Sequence, residues 1–315
     1  MVLIALALLS GCLPKEPIVN ITAAENMRRT PDGRIFISGR AALYELRQNE
    51  NGQHEAVAVS RDEACDYHAG IAQLHDWIFF VCAKQARALK GIKFADSGKL
   101  MAYSLTDGRV EPVLDLSGFQ FPNGLDALVQ EDAILIADED FLGKGGVSRI
   151  RFDFSGGVPV LLDYQRDWIG AAQQVYAANG VRVHDNAVYL TDIGFVKRVP
   201  LDGDGMPETA QILYRGATVL DDLDVLCDGL LVADFVLGRL IYVPFDGSRP
   251  QVTPSGLTSP SSVLAIATPQ FDAGDILVTE ATALSAKSGN QLVRIRRDDL
   301  GVGACRNPGE SGSGS

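Results

Sequence analysis

The chain has 315 residues, of which 46% are hydrophobic and 22% charged, as is typical of a globular protein with one large domain or two modest ones. Its formal net charge is −12 and its isoelectric point is near 4.8. Nucleic-acid binding is disfavoured, because a surface that binds phosphates is basic.

The first twelve residues, MVLIALALLSGC, are an apolar run too short to span a bilayer as a helix and typical of an export signal. LLSGC resembles the lipobox of bacterial lipoproteins. That resemblance implies cleavage before Cys12, lipidation of its thiol, and a membrane-anchored protein facing the periplasm or the cell exterior. No Lys or Arg precedes the run, and the alternative is a buried N-terminal strand.

A short strand-like stretch recurs six times along the chain, 42 to 56 residues apart. Turn signals such as PDGR or HDNA precede these stretches, and most are followed by a second, alternating strand. We call the six stretches marker strands: IFISG at 35, IFFVC at 78, ILIAD at 134, VYLTD at 188, LLVAD at 230 and ILVTE at 276.

This period, with three or four strands in each repeat, predicts an all-β fold, a six-bladed β-propeller. A β-sandwich is the alternative, but it does not require so regular a period. We expect a signal and tether over residues 1–16, one propeller domain over 17–308 and a flexible tail over 309–315. PIVNITAAE is expected to close the ring by pairing with the last blade.

Four cysteines remain if Cys12 carries lipid, and an exported compartment permits disulfides between them. Four cysteines allow three pairings. We favour Cys65–Cys82, which flank one hairpin, and this leaves Cys227–Cys305.

One polar residue precedes most marker strands by a similar distance. Counting back 9 to 11 residues from the strand start reaches Glu25, His68, Asn123, Asn179 and Asp221. In a propeller that register falls at the start of each innermost strand, near one mouth of the channel, so these residues are expected to converge. Taken singly, each has a plainer explanation: a turn for an Asn-Gly pair, a solvated loop, or an ordinary core histidine.

Carboxylate and amide oxygens are the ligands of Ca²⁺ and Mg²⁺. Glu25 and Asp221 match the charge of a dication, and Asp222 could add a third carboxylate. Ca²⁺ is favoured over Mg²⁺ because it accepts irregular cages with open positions. We therefore predict a Ca²⁺ site formed by Glu25, Asn123, Asn179 and Asp221.

The same segments resemble the gluconolactonase/regucalcin (senescence marker protein) family and the paraoxonase arylesterases. AENMRRTPDGRIFISG, FPNGLDAL, AANGVRVHDNAVYLTD and LDDLDVLCDGLLVAD resemble the family's successive metal-ligand motifs. YHAGI resembles the paraoxonase stretch whose histidine, here His68, lies beside the metal. The resemblance implies a six-bladed propeller with a catalytic calcium.

Two departures from paraoxonases matter. The stretch VCAKQ lacks their second histidine, which puts a His–His proton relay in doubt. Asn26 and Gly124 stand where acidic neighbours would hold a second calcium, which disfavours that metal.

The expected reaction is hydrolysis of a lactone or ester, with the metal polarising the carbonyl and Asp222 or His68 activating water. No G-x-S-x-G elbow is present, which argues against a serine hydrolase. Trp168 and Tyr176 are expected as apolar walls of the pocket, and Ser259, Ser261 and Ser262 are expected near the same mouth. The alternatives are a non-catalytic, lipid-anchored propeller that binds a ligand or protein and, less favoured, a strictosidine-synthase-like condensing enzyme.

Overall fold

The computed structural model describes residues 12–40, 42–62, 65–85, 95–140, 142–266, 268, 270–281 and 290–300. Over these ranges it contains 24 β-strands and three 3-10 turns, at Val129–Glu131, Ala171–Gln173 and Arg297–Asp299. The strands form six four-stranded antiparallel sheets, so the predicted six-bladed propeller is confirmed. Within the described ranges, no helix has the length and apolar character needed to cross a membrane.

The blades follow one another along the chain, and each is numbered from its innermost strand outwards. Blade 1 comprises β2–β5, at Met27–Arg29, Ile35–Ser38, Ala42–Gln48 and His54–Arg61. Blade 2 comprises β6–β9, at Tyr67–Leu74, Trp77–Gln85, Ala95–Ser104 and Val110–Asp115. Blade 3 comprises β10–β13, at Pro122–Leu128, Ala133–Asp138, Val147–Asp153 and Val160–Ile169.

The remaining three blades repeat this order. Blade 4 comprises β14–β17, at Ala178–His184, Ala187–Asp192, Phe195–Pro200 and Gln211–Arg215. Blade 5 comprises β18–β21, at Leu220–Val225, Gly229–Asp234, Arg239–Pro244 and Gln251–Val252. Blade 6 comprises β22–β24, at Pro260–Ala265, Ile276–Glu280 and Gln291–Ile295, with β1, at Glu16–Asn20, as its outermost strand.

The two ends of the propeller chain meet in blade 6. β1 pairs antiparallel with β24, with Glu16 opposite Arg294 and Asn20 opposite Gln291. Backbone hydrogen bonds between sequence-distant strands thus close the ring, as predicted for PIVNITAAE. The expected tail over 309–315 and the signal up to residue 11 lie outside the described residues.

The hydrophobic core is divided among the six interfaces between neighbouring blades, with one buried cluster at each. The marker strands show why. In β3, Ile35 and Ile37 pack towards blade 6, whereas Phe36 packs towards blade 2. Side chains of a strand alternate between faces, and both faces are covered here, so the marker strands are continuously apolar.

All inner strands begin at the same end of the molecule, and the second strand of each blade ends there. We call this end the upper face. It carries the segments that enter the inner strands, for example residues 176–177 and 216–219, and the turns after the second strands, for example residues 193–194 and 235–238.

The predicted Cys65–Cys82 disulfide is confirmed, with 5.4 Å between the two Cα atoms. Cys227 is also disulfide-bonded, and its expected partner, Cys305, lies outside the described residues. Cys12 is exposed, with a free thiol.

Candidate metal centre

Strand pairing defines one equivalent position in each inner strand, which we call the ring position. The first residues of β10, β14 and β18 pair with Asp138, Asp192 and Asp234 at the ends of the marker strands, and the pairing then shifts. The residue after each of these first residues is the ring position. It holds Asn123, Asn179 and Asp221, with Glu25 in blade 1, Ala69 in blade 2 and Ser261 in blade 6.

Glycines let the inner strands approach each other closely at this level. A Cβ atom on Gly124 would lie 2.4 Å from the carbonyl oxygen of Asn179. One on Gly180 would lie 2.8 Å from the Cα of Asp222. Only a residue without a Cβ permits such backbone contact. The structure therefore brings the ring positions of blades 3, 4 and 5 side by side.

Three carboxyl groups, those of Glu25, Glu139 and Asp221, interact electrostatically with one another. Burial raises the pKa of Asp221 well above its ordinary value, and the charges of Glu25 and Glu139 raise it further. Burial likewise raises the pKa of Glu139 to about 8, with a contribution from Glu25. The side chain of Asn179 hydrogen-bonds both Asp221 and Glu139 and opposes these rises.

Glu139 is a site residue that the sequence reasoning missed. It directly follows β11 and is buried, and its Oε1 has no hydrogen-bond partner among the described residues. The acidic residues that follow ILIA are the available signal, but they lie outside the inner strands, to which the shared register applies. Tyr67 is a second such residue, because burial and the charge of Glu25 raise the pKa of its hydroxyl.

The donor set fits a divalent cation that prefers oxygen. Asn179 Oδ1 and Glu139 Oε1 are buried with no partner in the described part of the chain, which is costly unless a ligand satisfies them. The carboxylates of Glu25 and Asp221 add charge, and the Asn123 side chain is at the adjacent ring position. Such carboxylate and amide oxygens suit Ca²⁺, whereas zinc sites favour thiolate and imidazole.

His68 lies one residue before the ring position, so the structure does not bring it to the acidic cluster. Its ring is fully buried, with Nδ1 3.1 Å from the Gly39 carbonyl oxygen. Its other close neighbours are Phe80 and the Cys65–Cys82 disulfide. Burial lowers the pKa of His68 below its ordinary value. These contacts give His68 a place in the interface between blades 1 and 2.

Asp222 follows the ring position, and one of its oxygens is fully engaged. Its Oδ2 accepts hydrogen bonds from Arg182 Nη2 at 2.8 Å, Asn26 Nδ2 at 2.9 Å and Ser262 Oγ at 2.7 Å. Three donors saturate the hydrogen-bonding capacity of this oxygen. Asp222 therefore anchors three inner strands to one another.

A second layer of charges lies one step further along the inner strands. Arg28, Asp126, Arg182 and Asp224 each stand three residues after a ring position, and their charges alternate. Arg28 pairs with Asp126 at 2.9 Å, and Arg182 Nε lies 3.8 Å from Asp224. These pairs link the inner strands of blades 1 and 3 and of blades 4 and 5, on the side of the ring away from the upper face.

The residues expected to line the pocket lie in different parts of the structure. Trp168 is buried in the core between blades 3 and 4, with the Arg149 guanidinium over its ring. Tyr176 is 43% exposed on the upper face. Ser261 occupies the ring position of blade 6, where its hydroxyl donates to the Ala24 carbonyl oxygen at 3.0 Å.

No protein-family model matches the chain, and no curated protein matches it. Solved structures do match. A gluconolactonase from Xanthomonas campestris is 13% identical with a TM-score of 0.60, over 91% of this chain and 92% of that one. The calcium-binding protein regucalcin from Agrobacterium tumefaciens is 14% identical with a TM-score of 0.59, over 90% and 93%.

An auxiliary nutrient-binding protein from Bacteroides thetaiotaomicron is also similar, at 9% identity and a TM-score of 0.59, over 88% of this chain and 69% of that one. At these identities the likeness shows the fold alone. Gluconolactonase- and regucalcin-like propellers are thus among the structural neighbours of this chain, together with the nutrient-binding protein.

Proposed function

We propose that this protein is a Ca²⁺-dependent hydrolase of lactones or esters, with Mg²⁺ as the alternative ion. The observation that carries the proposal is the cluster of Glu25, Glu139 and Asp221. The strongest charged neighbours of buried Asp221 are themselves acidic. Buried like charges are unfavourable without a compensating cation, and this cluster lies near the upper end of the inner strands.

Glu25, Asn123, Asn179 and Asp221 would hold the cation through carboxylate and amide oxygens. When bound, the ion would supply a Lewis acid that polarises the substrate carbonyl. Ala69 leaves the blade 2 position of the ring without a polar side chain, so that sector would admit the substrate.

Glu139 is the proposed proton acceptor. Its Oε1 has no partner among the described residues, and its carboxyl group adjoins the Asn179 side chain. Oε1 would take the proton from the attacking water and later return it to the leaving oxygen. Tyr67, whose buried hydroxyl feels the charge of Glu139, would orient that water as a hydrogen-bond donor.

The fold supports this assignment at a coarse level, because gluconolactonase and regucalcin structures share it. The second candidate is a binding propeller that is not an enzyme, which the nutrient-binding neighbour favours. We further propose that Cys12 carries a lipid anchor and that the protein faces the periplasm or the cell exterior. The LLSGC motif and the exposed thiol of Cys12 support this.

Two measurements made in parallel distinguish a hydrolase from a binding propeller. A panel of lactones and aryl esters is assayed with Ca²⁺ and with a chelator, and calorimetry measures Ca²⁺ binding. We expect Asp221→Asn to lose both Ca²⁺ binding and hydrolysis. Glu139→Gln is expected to lose hydrolysis while still binding Ca²⁺. Asp185→Asn removes an exposed carboxylate and is the control. Ca²⁺ binding with no turnover of any substrate would favour the binding propeller.

A further inference from the structure

We infer that the upper face of blades 3 to 5 lies against a lipid bilayer. The inference rests on the lipid anchor proposed at Cys12, and it is independent of the proposed hydrolysis. Three observations carry it: the short, ordered connection between Cys12 and the core, the apolar turn beside it, and the apolar residues further along the same face.

The anchor site has no flexible tether. Leu13 is buried between blades 5 and 6, and its N–H donates to the Ser255 carbonyl oxygen at 3.1 Å. Cys12 is therefore one residue from a fixed point in the core. Acyl chains attached to its thiol would enter the bilayer directly beside the protein surface, and this restricts how the propeller can sit on the membrane.

The turn next to this point exposes apolar side chains. Gly256 adjoins Cys12 and Leu13, and its N–H donates to the Gly238 carbonyl oxygen at 3.0 Å. Gly238 closes the turn after β19, in which Val236 is 47% exposed and Leu237 42% exposed. A short hydrogen-bonded path thus connects the anchor site to two exposed apolar residues on the upper face.

The apolar surface continues on the two preceding blades. Leu142 is 75% exposed after β11, and Ile193 is 41% exposed after β15. Tyr176 lies between them and accepts a hydrogen bond from the N–H of Gly145. In the described ranges, the other large exposed apolar side chains lie on outer strands or at the opposite end, and blades 6, 1 and 2 present none on this face.

A bilayer is the occupant that these observations favour. The proposed lipid would hold the apolar sector within reach of the hydrocarbon boundary, where such side chains gain by leaving water. The protein's net charge of −12 opposes electrostatic attraction to anionic lipids, so docking would depend on apolar contact. The acidic ring would then open at the membrane surface, and substrates would arrive along the interface.

The test couples Cys12 to a maleimide-bearing lipid in phosphatidylcholine vesicles and uses brominated phosphatidylcholine as a depth-dependent quencher. Cys12 is the free cysteine of the described residues, which allows specific coupling. Leu237→Trp reports the upper face. Met206→Trp is the matched control, because Met206 is 44% exposed in the turn at the opposite end. The native Trp77 and Trp168 are buried and give a constant background.

We expect brominated lipid to reduce the fluorescence of the tryptophan introduced by Leu237→Trp at least about twofold, because interfacial side chains lie roughly 5–10 Å within the headgroup boundary. The fluorescence of the tryptophan introduced by Met206→Trp should not change. The result should persist at about 0.5 M salt, where surface charge attraction is screened. Ile193→Trp serves as a second reporter if Leu237→Trp fails to fold. Equal quenching at both ends, or none at either, would overturn the inference, as would burial of the reporter by self-association in solution.

Discussion

Glu139→Gln should make the metal-free protein more stable at alkaline pH, although it removes the proposed proton acceptor. Glutamine is nearly isosteric with protonated glutamic acid, so the substitution mimics that form at every pH. A carboxyl whose pKa is higher in the folded chain than in the unfolded chain binds its proton more tightly when folded. Its contribution to stability is therefore largest below about pH 4.5 and is lost as the pH rises to about 8.

The magnitude follows from that rise in pKa. At about 1.4 kcal/mol per pH unit, ionising Glu139 costs the folded state at most about 5 kcal/mol above pH 8. Relaxation and water entry reduce such values, and we expect a gain of about 2–3 kcal/mol for Glu139→Gln at pH 8 in chelator. For a protein of this size that is about 3–5 °C in melting temperature.

Thermal melts at pH 5 and pH 8, each with chelator and with excess Ca²⁺, test this directly. The gain should be near zero at pH 5, where Glu139 is already protonated, and Ca²⁺ should abolish it at pH 8. Glu208→Gln removes an exposed carboxylate and should change none of these values. A Glu139→Gln protein that is no more stable than wild type at pH 8 in chelator would refute the acidic-cluster reasoning.

Three further predictions concern other parts of the molecule. Gly124→Ala places a Cβ atom 2.4 Å from a neighbouring ring carbonyl and should abolish Ca²⁺ binding measured by calorimetry, whereas Gly156→Ala, with open space around it, should not. Asp222→Asn removes the charged partner of the buried Arg182 guanidinium and should lower the free energy of unfolding by about 3 kcal/mol in denaturant titrations. A loss below about 0.5 kcal/mol would contradict the anchoring role of Asp222. Cys12→Ser should abolish incorporation of labelled fatty acid in a bacterial host, and retained label would place the lipid elsewhere.

The blade architecture could be predicted because each local signal repeats. Turn residues mark the start of every marker strand, and the continuous apolar runs reflect strands buried on both faces. The Cys65–Cys82 pairing followed from the same layout, because the two residues flank one hairpin. The period of the repeat likewise places Glu25, Asn123, Asn179 and Asp221 at equivalent positions of their inner strands, and their joint role as metal ligands stays a prediction.

Counting along the chain could not resolve the register to a single residue. The turns between first and second strands differ in length, so the distance from ring position to marker strand varies. An error of one residue moves a side chain to the other face of a strand, and it separates His68 from the acidic cluster. Glu139 could not be found this way at all, because it comes from the segment after a second strand.

The ends of the second strands explain how an acidic ring is held in place before any ligand binds. In blades 3 to 6 the last residue of the second strand is acidic, and its carboxylate accepts a hydrogen bond from the segment that enters the inner strand of the same blade. Asp138, for example, accepts the Phe121 N–H at 2.8 Å and pairs with Arg166. The equivalent residues are Asp192, Asp234 and Glu280, each paired with a cation.

Blade 2 has a disulfide instead, because Cys82, which pairs with His68 as Asp138 pairs with Pro122, is bonded to Cys65 just before the inner strand. These links fix the backbone on both sides of the ring positions. Repulsion among Glu25, Glu139 and Asp221 therefore cannot be relieved by moving the strands apart. The carboxyl groups relieve that repulsion by holding protons, as the raised pKa values of Glu139 and Asp221 indicate, and a cation of suitable size would take the place of those protons.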